Sequence, residues 1–294
     1  MMKSIQLNAY AKVNLGLDVL GKRPDGYHEV RMIMQTIGLH DKLTMNVINT
    51  PKIKIKTNLV FLPTNDSNIV YRAVDLMKKK YQINEGIYIN LSKRIPVAAG
   101  MAGGSTDAAA ALIGMNKLFN LNLTLEELMD IGVTLGADVP YCLMGGTALS
   151  EGIGEKLTPL PPLPNCHILI VKPNINVSTK KIYTSLDLSK VSTRPDIDGI
   201  IRGINQKDLY ETTRHFANVL ESVTIDKYKV IDDIKEEMLK HGAITSLMSG
   251  SGPTVFGIFD NKKLAKDAFY HFKVSNFKYH VYLTKPKGPV YSKE

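Results

Sequence analysis

The chain has 294 residues and carries 37 Lys and Arg against 28 Asp and Glu, a formal charge of +9. Its 44% hydrophobic and 22% charged content supplies enough apolar material to offset chain entropy, so disorder is excluded over most of the length. The length fits about two domains, and the surplus charge leaves three classes of partner: nucleic acid, an anionic membrane surface, or a polyanionic small substrate.

Cys142 and Cys166 form no CxxC pair and the histidines no HExxH spacing, which argues against a disulfide framework and a structural metal. The thiols are expected to be buried in a reducing compartment. The longest apolar stretch, Ala108 to Met115, is too short to span a bilayer. Met1 to Leu7 has no apolar signal core. A cytoplasmic protein without a membrane partner is expected.

Ile5 to Leu20 is strand-like around Lys12-Val13-Asn14, and Arg23-Pro24-Asp25-Gly26 is a turn by composition. Val30 to Leu39 and Lys42 to Thr57 continue in strand style. Asp66 or Ser67 is placed to cap a helix with the stripe Val70, Val74, Met77 and Tyr81. Gly86 to Ser92 alternates as a strand. An alanine-rich helix is predicted from about Thr106 to Phe119. Thr124 with Glu127 forms a capping box opening a helix to about Leu135. Thr147 to Ser150 reads as a short strand between glycine turns. The proline-rich run Pro159 to Pro164 is the best linker. It divides the chain into an N-terminal domain, 1–158, and a C-terminal one, 165–285. Beyond it, Cys166 to Lys172 and Tyr279 to Leu283 read as strands. Helical patterns cover Asp208 to Glu221, Asp226 to His241 and Lys262 to Phe272. No regular βαβ alternation appears, so an α+β fold is expected over a doubly wound sheet.

Four constellations carry chemistry. The first is Pro96-Val97-Ala98-Ala99-Gly100-Met101-Ala102-Gly103-Gly104-Ser105-Thr106, between a strand and a helix. Glycines let the backbone turn its N–H groups inward, and the following helix adds free N–H groups and a positive dipole end, together a pocket for phosphate oxygens. Ser105 and Thr106 offer hydroxyls as donors or Mg²⁺ ligands. The pattern matches neither Walker A nor GxGxxG, and its bland alternative is a turn packed on a helix. The second is Lys12 with Asn14 on one strand face, followed by Asp25-Gly26-Tyr27-His28; an edge strand facing water is the alternative. The third is Asp138 in Gly136-Ala-Asp-Val-Pro140, a candidate buried carboxylate or a turn residue. Asp107 competes with it but would be explained by the dipole of a first helical turn. The fourth is Ser249-Gly250-Ser251-Gly252-Pro253-Thr254, a second glycine loop.

Taken in order, Ala11-Lys-Val-Asn14, Pro96 to Thr106 and Ser249 to Thr254 resemble the three motifs of the GHMP kinase superfamily, over nearly the whole chain. The resemblance implies an ATP-dependent small-molecule kinase with Mg²⁺. The implied fold is a two-domain α+β one: an N-terminal ribosomal-protein-S5-domain-2-like domain and a C-terminal ferredoxin-like α/β sandwich. Arg23 to His28, Gly136 to Pro140 and Glu151 to Glu155 point within it to a branch acting on a cytidine-diphosphate-linked polyol. On that resemblance Asp138 would take the proton of the attacking hydroxyl, and Lys12 would keep that carboxylate charged and steady the moving phosphoryl group. Asn14 would contact the substrate, His28 the cytosine edge, and Tyr27 and Tyr183 would stack on the base. Thr179 and the loop Gly250, Ser251 and Gly252 would also meet substrate, and Asn68 and Lys93 would lie near the adenosine. The active site is expected between the two domains. The alternatives are a homoserine- or mevalonate-type kinase and an RNA-binding module. Scattered Lys and Arg, with Lys78-Lys79-Lys80 as the one run at a solvated helix end, argue against nucleic acid.

Overall fold

A computed structural model describes residues 3–275 and 278–291. Residues 1–2 of the expected first domain and 276–277 of the second lie outside the described residues.

Two long strands, β1 (Ser4–Lys22) and β2 (His28–Ile48), form an antiparallel hairpin, with Ser4 opposite Asn46 and Lys22 opposite His28. The turn closes with the Arg23 N–H donating to the Tyr27 carbonyl at 2.8 Å. On the other edge of β2, β4 (Gly86–Ser92) pairs with its second half and β5 (Thr147–Gly152) with its first. β3 (Ile53–Thr57) lies parallel to β4, and β6 (Lys156–Leu160) closes the far edge beside β5. Four helices belong to this half: α1 (Ile69–Lys80), α2 (Gly103–Leu118), α3 (Leu125–Val133) and α4 (Val139–Met144). α2 is apolar on nearly every side, and that is why it can run as a central helix beneath the sheet.

The second sheet is antiparallel, in the order β10 (His280–Thr284), β7 (His167–Lys172), β9 (Val255–Phe259), β8 (Thr245–Met248). The strand order and the helices between the strands give the ferredoxin-like arrangement. α5 (Thr179–Ser185), α6 (Ile197–Gln206), α7 (Leu209–Thr213) and α8 (Glu221–Lys227) fill the long connection from β7, and α9 (Val230–Lys240) and α10 (Lys262–Ser275) cover one face. Side chains alternate across this sheet. Leu169 and Val171 pack toward α9 and α10, whereas Ile168, Ile170, Phe256 and Ile258 pack toward Ile33 and Ile37 of β2 and Ile197 and Ile200 of α6. The two sheets therefore share one apolar core.

Several expectations change. The cap of α1 is Asn68, not Asp66 or Ser67: its Oδ1 accepts from the Val70 N–H at 2.9 Å. β2 runs unbroken to Ile48, and a turn at Pro51 separates it from β3. α2 opens three residues early, at Gly103, which puts Asp107 beyond the first turn and removes the dipole as its reason. Pro159 sits inside β6, where its missing N–H is tolerated because β6 is an edge strand. The predicted helix from Asp208 to Glu221 breaks after Thr213, because Asn218 bridges to Leu17 of β1 instead. Lys78 does not end in solvent; its ammonium donates to the Ile83 carbonyl at 2.9 Å and to that of Glu85. Both cysteines are buried and free, and burial pushes the Cys166 thiol up to about 12.

Candidate active site

Lys12 and Asn14 do share one face of β1, between two irregularities in its pairing with β2. Both are buried, and the Lys12 ammonium donates to Asn14 Oδ1 at 2.8 Å. Asn14 Nδ2 turns to the Met32 sulfur at 3.2 Å. Asp138 stands at the residue before α4, yet its carboxylate makes no capping bond, so the helix does not consume it. Its Oδ2 lies 3.9 Å from Lys12 Nζ, an ion pair beyond hydrogen-bond length. Of the two readings of Asp138, a buried carboxylate or a turn residue, the first does not hold: its side chain is 34% exposed, open to the cleft.

The glycine loop leads into α2 through backbone that few side chains tolerate. Ala98, Gly100 and Ala102 all have positive φ, at 51°, 71° and 56°. For the two alanines this left-handed conformation costs about 1–2 kcal/mol each, strain of the kind that gathers at ligand sites. The Lys12 N–H donates to the Met101 carbonyl at 3.3 Å and ties the loop to β1. Gly103 and Gly104 open α2, so their N–H groups face the cleft without an intrahelical acceptor. Thr106 does not join them; its hydroxyl donates to the Tyr10 carbonyl at 2.7 Å.

Lys93 sits under this helix start. Its ammonium is held by Asp41, by Asp107 Oδ2 at 2.6 Å and by the Gly103 carbonyl at 3.2 Å. Asp41 Oδ1 also accepts the backbone N–H groups of Arg94 and Ile95. Burial alone would lower the Lys93 ammonium, but the charges of Asp107 and Asp41 lift it above its usual value. Burial drives the Asp107 carboxyl well above the carboxylate range; Lys93 opposes this and Asp41 reinforces it. Asp41 was missed in the sequence reading, although it occupies the inward register of β2 between Leu39 and Leu43.

The second half reaches the same cleft. Thr179, at the start of α5, hydrogen-bonds Ser251 at 2.8 Å. Ser249 donates its hydroxyl to the Gly100 carbonyl at 2.9 Å, so one glycine loop rests on the other. Asn218, also missed, donates to the carbonyls of Met248 and Gly250, both at 2.8 Å, and holds the second loop from below. The His28 and Tyr183 rings meet with centroids 5.2 Å apart, and Tyr27 is exposed. Burial, then Lys22, lowers the His28 pKa below 6.5, so the ring is neutral at neutral pH. Burial raises the Tyr183 phenol.

All of this surrounds one cleft of about 980 Å³. Lys12, Asn14, Tyr27, His28, Asn68, Lys93, Asp138, Thr179, Tyr183, Gly250 and Ser251 line it, with Pro96 to Gly100 and Ala102 to Ser105. Met101, Thr106 and Gly252 do not. Asn68 lines it but has both side-chain ends engaged, with Val70 and with the Pro63 carbonyl at 2.7 Å.

Residues 68–146 match the family described as GHMP kinases N terminal domain, and residues 196–273 that described as GHMP kinases C terminal. The chain is an ATP-dependent small-molecule kinase. A 4-diphosphocytidyl-2-C-methyl-D-erythritol kinase of Lachnoclostridium phytofermentans is 60% identical over 97% of this chain and 98% of its own length. The crystal structure of a 4-(cytidine 5'-diphospho)-2C-methyl-D-erythritol kinase superposes with a TM-score of 0.83 at 28% identity, over 97% of this chain and all of that one. The chain belongs to the 4-diphosphocytidyl-2-C-methyl-D-erythritol kinase family of the GHMP kinases. A homoserine kinase of Cytophaga hutchinsonii shares the fold, with a TM-score of 0.79 at 20% identity over 99% of this chain and 96% of that one.

Proposed function

We propose that this protein transfers the γ-phosphoryl group of ATP to the 2-hydroxyl of 4-diphosphocytidyl-2-C-methyl-D-erythritol, a step in making isoprenoid precursors by the non-mevalonate route. The observation that carries this reading is the ion pair of Asp138 with Lys12, 3.9 Å apart in a cleft that also holds the glycine loop and the His28–Tyr183 ring pair. Asp138 accepts the hydroxyl proton as the oxygen attacks the γ-phosphorus. The bond to the β-phosphate oxygen breaks, and ADP leaves. Lys12, its ammonium aimed by Asn14, balances charge on the transferring group. The N–H groups of Gly103 and Gly104 receive phosphate oxygens. His28, neutral at neutral pH, offers one donor and one acceptor to the cytosine edge, and Tyr183 and Tyr27 offer ring faces to the base.

The residues also fit Mg²⁺. Asp107 Oδ1 is buried without a hydrogen-bond partner among the described residues, and Asp107 and Ser105 are both among the residues that line the cleft. A cation held by Asp107 would favour its ionised form, against the burial that raises its carboxyl. Asp107 and Ser105 would hold the ion, and phosphate oxygens and water would complete its shell. Bound there, it would neutralise phosphate charge.

Turnover of the cytidylated polyol, homoserine and mevalonate by the purified protein tests the reading. The cytidylated polyol should give the highest kcat/KM, and His28→Ala should raise its KM more than that of ATP. Comparable use of homoserine would overturn the substrate.

A further inference from the structure

At the far side of the second sheet, α9 and α10 lie next to each other. Glu237 and His241 are four residues apart and share one helical face; His271 approaches from α10. Glu237 Oε1 lies 3.5 Å from His241 Nδ1 and 3.1 Å from His271 Nε2. All three ligand atoms fall within 4.8 Å of one another. The two imidazole centroids are 4.0 Å apart. Each side chain is about a third exposed (33% for Glu237, 29% for His241, 34% for His271), so a hydrated ion can reach the group. None of the three lines the catalytic cleft.

We propose that Glu237, His241 and His271 form a binding site for a divalent transition metal of the zinc class, which fastens the end of α9 to α10. A tetrahedral ion bound at about 2.0–2.1 Å places its ligands roughly 3.4 Å apart. The separations of 3.1 and 3.5 Å around Glu237 Oε1 bracket that value. Two imidazoles with one carboxylate suit zinc; calcium and magnesium prefer oxygen alone. A fourth position remains for water. His241 is the residue that ends α9, where the negative end of the helix dipole also favours a cation. Two groups compete. A carbonyl can only accept, so the 2.9 Å contact of His241 Nδ1 with the Glu237 carbonyl means that Nδ1 carries a proton, and the ion replaces that proton. Lys240 pairs with Glu237 Oε2, at 3.7 Å, and leaves Oε1 to the ion.

The test is calorimetric titration of the full-length protein with zinc chloride after dialysis against EDTA, alongside thermal melting. Wild type should bind one equivalent and melt at a higher temperature with zinc than without. Glu237→Gln and His271→Ala should each weaken binding at least about tenfold, with kinase turnover unchanged. No binding by wild type, or wild-type affinity in both variants, would overturn the site.

Discussion

Lys93 and the two carboxylates around it set how charge is stored beneath the start of α2. Asp41 is committed to structure, since it accepts two backbone N–H groups as well as the ammonium. Asp107 is not, because one of its oxygens has no partner among the described residues. Burial raises its carboxyl, Lys93 pulls it down, and Asp41 adds to the rise. A carboxyl raised in this way binds more protons folded than unfolded, so its contribution to stability falls as pH rises through the folded value. Asp107→Asn removes this dependence. Urea unfolding of both proteins should show the variant gaining on wild type as the pH goes from mildly acidic to neutral; a difference that does not change with pH would contradict the burial argument. The motif residues Lys12, Asn14 and Asp138 were legible in the sequence because polar side chains interrupt apolar surroundings. The same signal marked Asp41, inward between Leu39 and Leu43, but a single acid in a long strand does not reveal its lysine partner, which comes from the end of another strand.

Among the elements, the two glycine loops depend on each other. Gly100 has φ of 71°, and a Cβ there would stand 2.2 Å from the Ser249 carbonyl oxygen, which is backbone. Gly100→Ala must therefore push the loops apart, besides meeting a left-handed backbone cost of about 1–2 kcal/mol. The melting temperature should fall and the KM for ATP should rise; an unchanged KM for ATP would mean that the Gly100 turn does not shape the nucleotide site. Elements with a clear period were legible. β4 has the bounds its alternation suggests, and both bonds of the Thr124–Glu127 capping box form. The short elements were not. Every residue of α4 from Val139 to Met144 is buried, so it shows no apolar stripe. The pattern around residue 214 continues a helix locally, but Asn218 is claimed by β1 and by the loop at Gly250. No window of sequence contains that competition.

Taken whole, the molecule is two sheets joined by a shared core, and the proline run at 161–164 is a short bridge across it, with Leu163 buried inside. The tail reinforces this. Residues 286–291 return to the first half, where the Val290 N–H donates to the Met144 carbonyl at 2.9 Å and the Tyr291 hydroxyl to that of Leu123 at 2.9 Å. Neither contact was legible, because Lys285 to Tyr291 has no period of its own. Of the many lysines and arginines behind the +9 charge, the cleft wall holds Lys12, Lys93 and Lys180. Among the described residues no helix is long and apolar enough to cross a membrane. The polyanion reading of the charge thus rests on a few placed cations, and the central claim is that Asp138 takes the proton beside one of them. The most direct measurement is single-turnover phosphoryl transfer by Asp138→Asn, with ATP binding measured on the same sample. The account predicts a rate loss of about 10²–10⁴-fold with ATP affinity and fold retained. Phosphoryl transfer at the wild-type rate would contradict it.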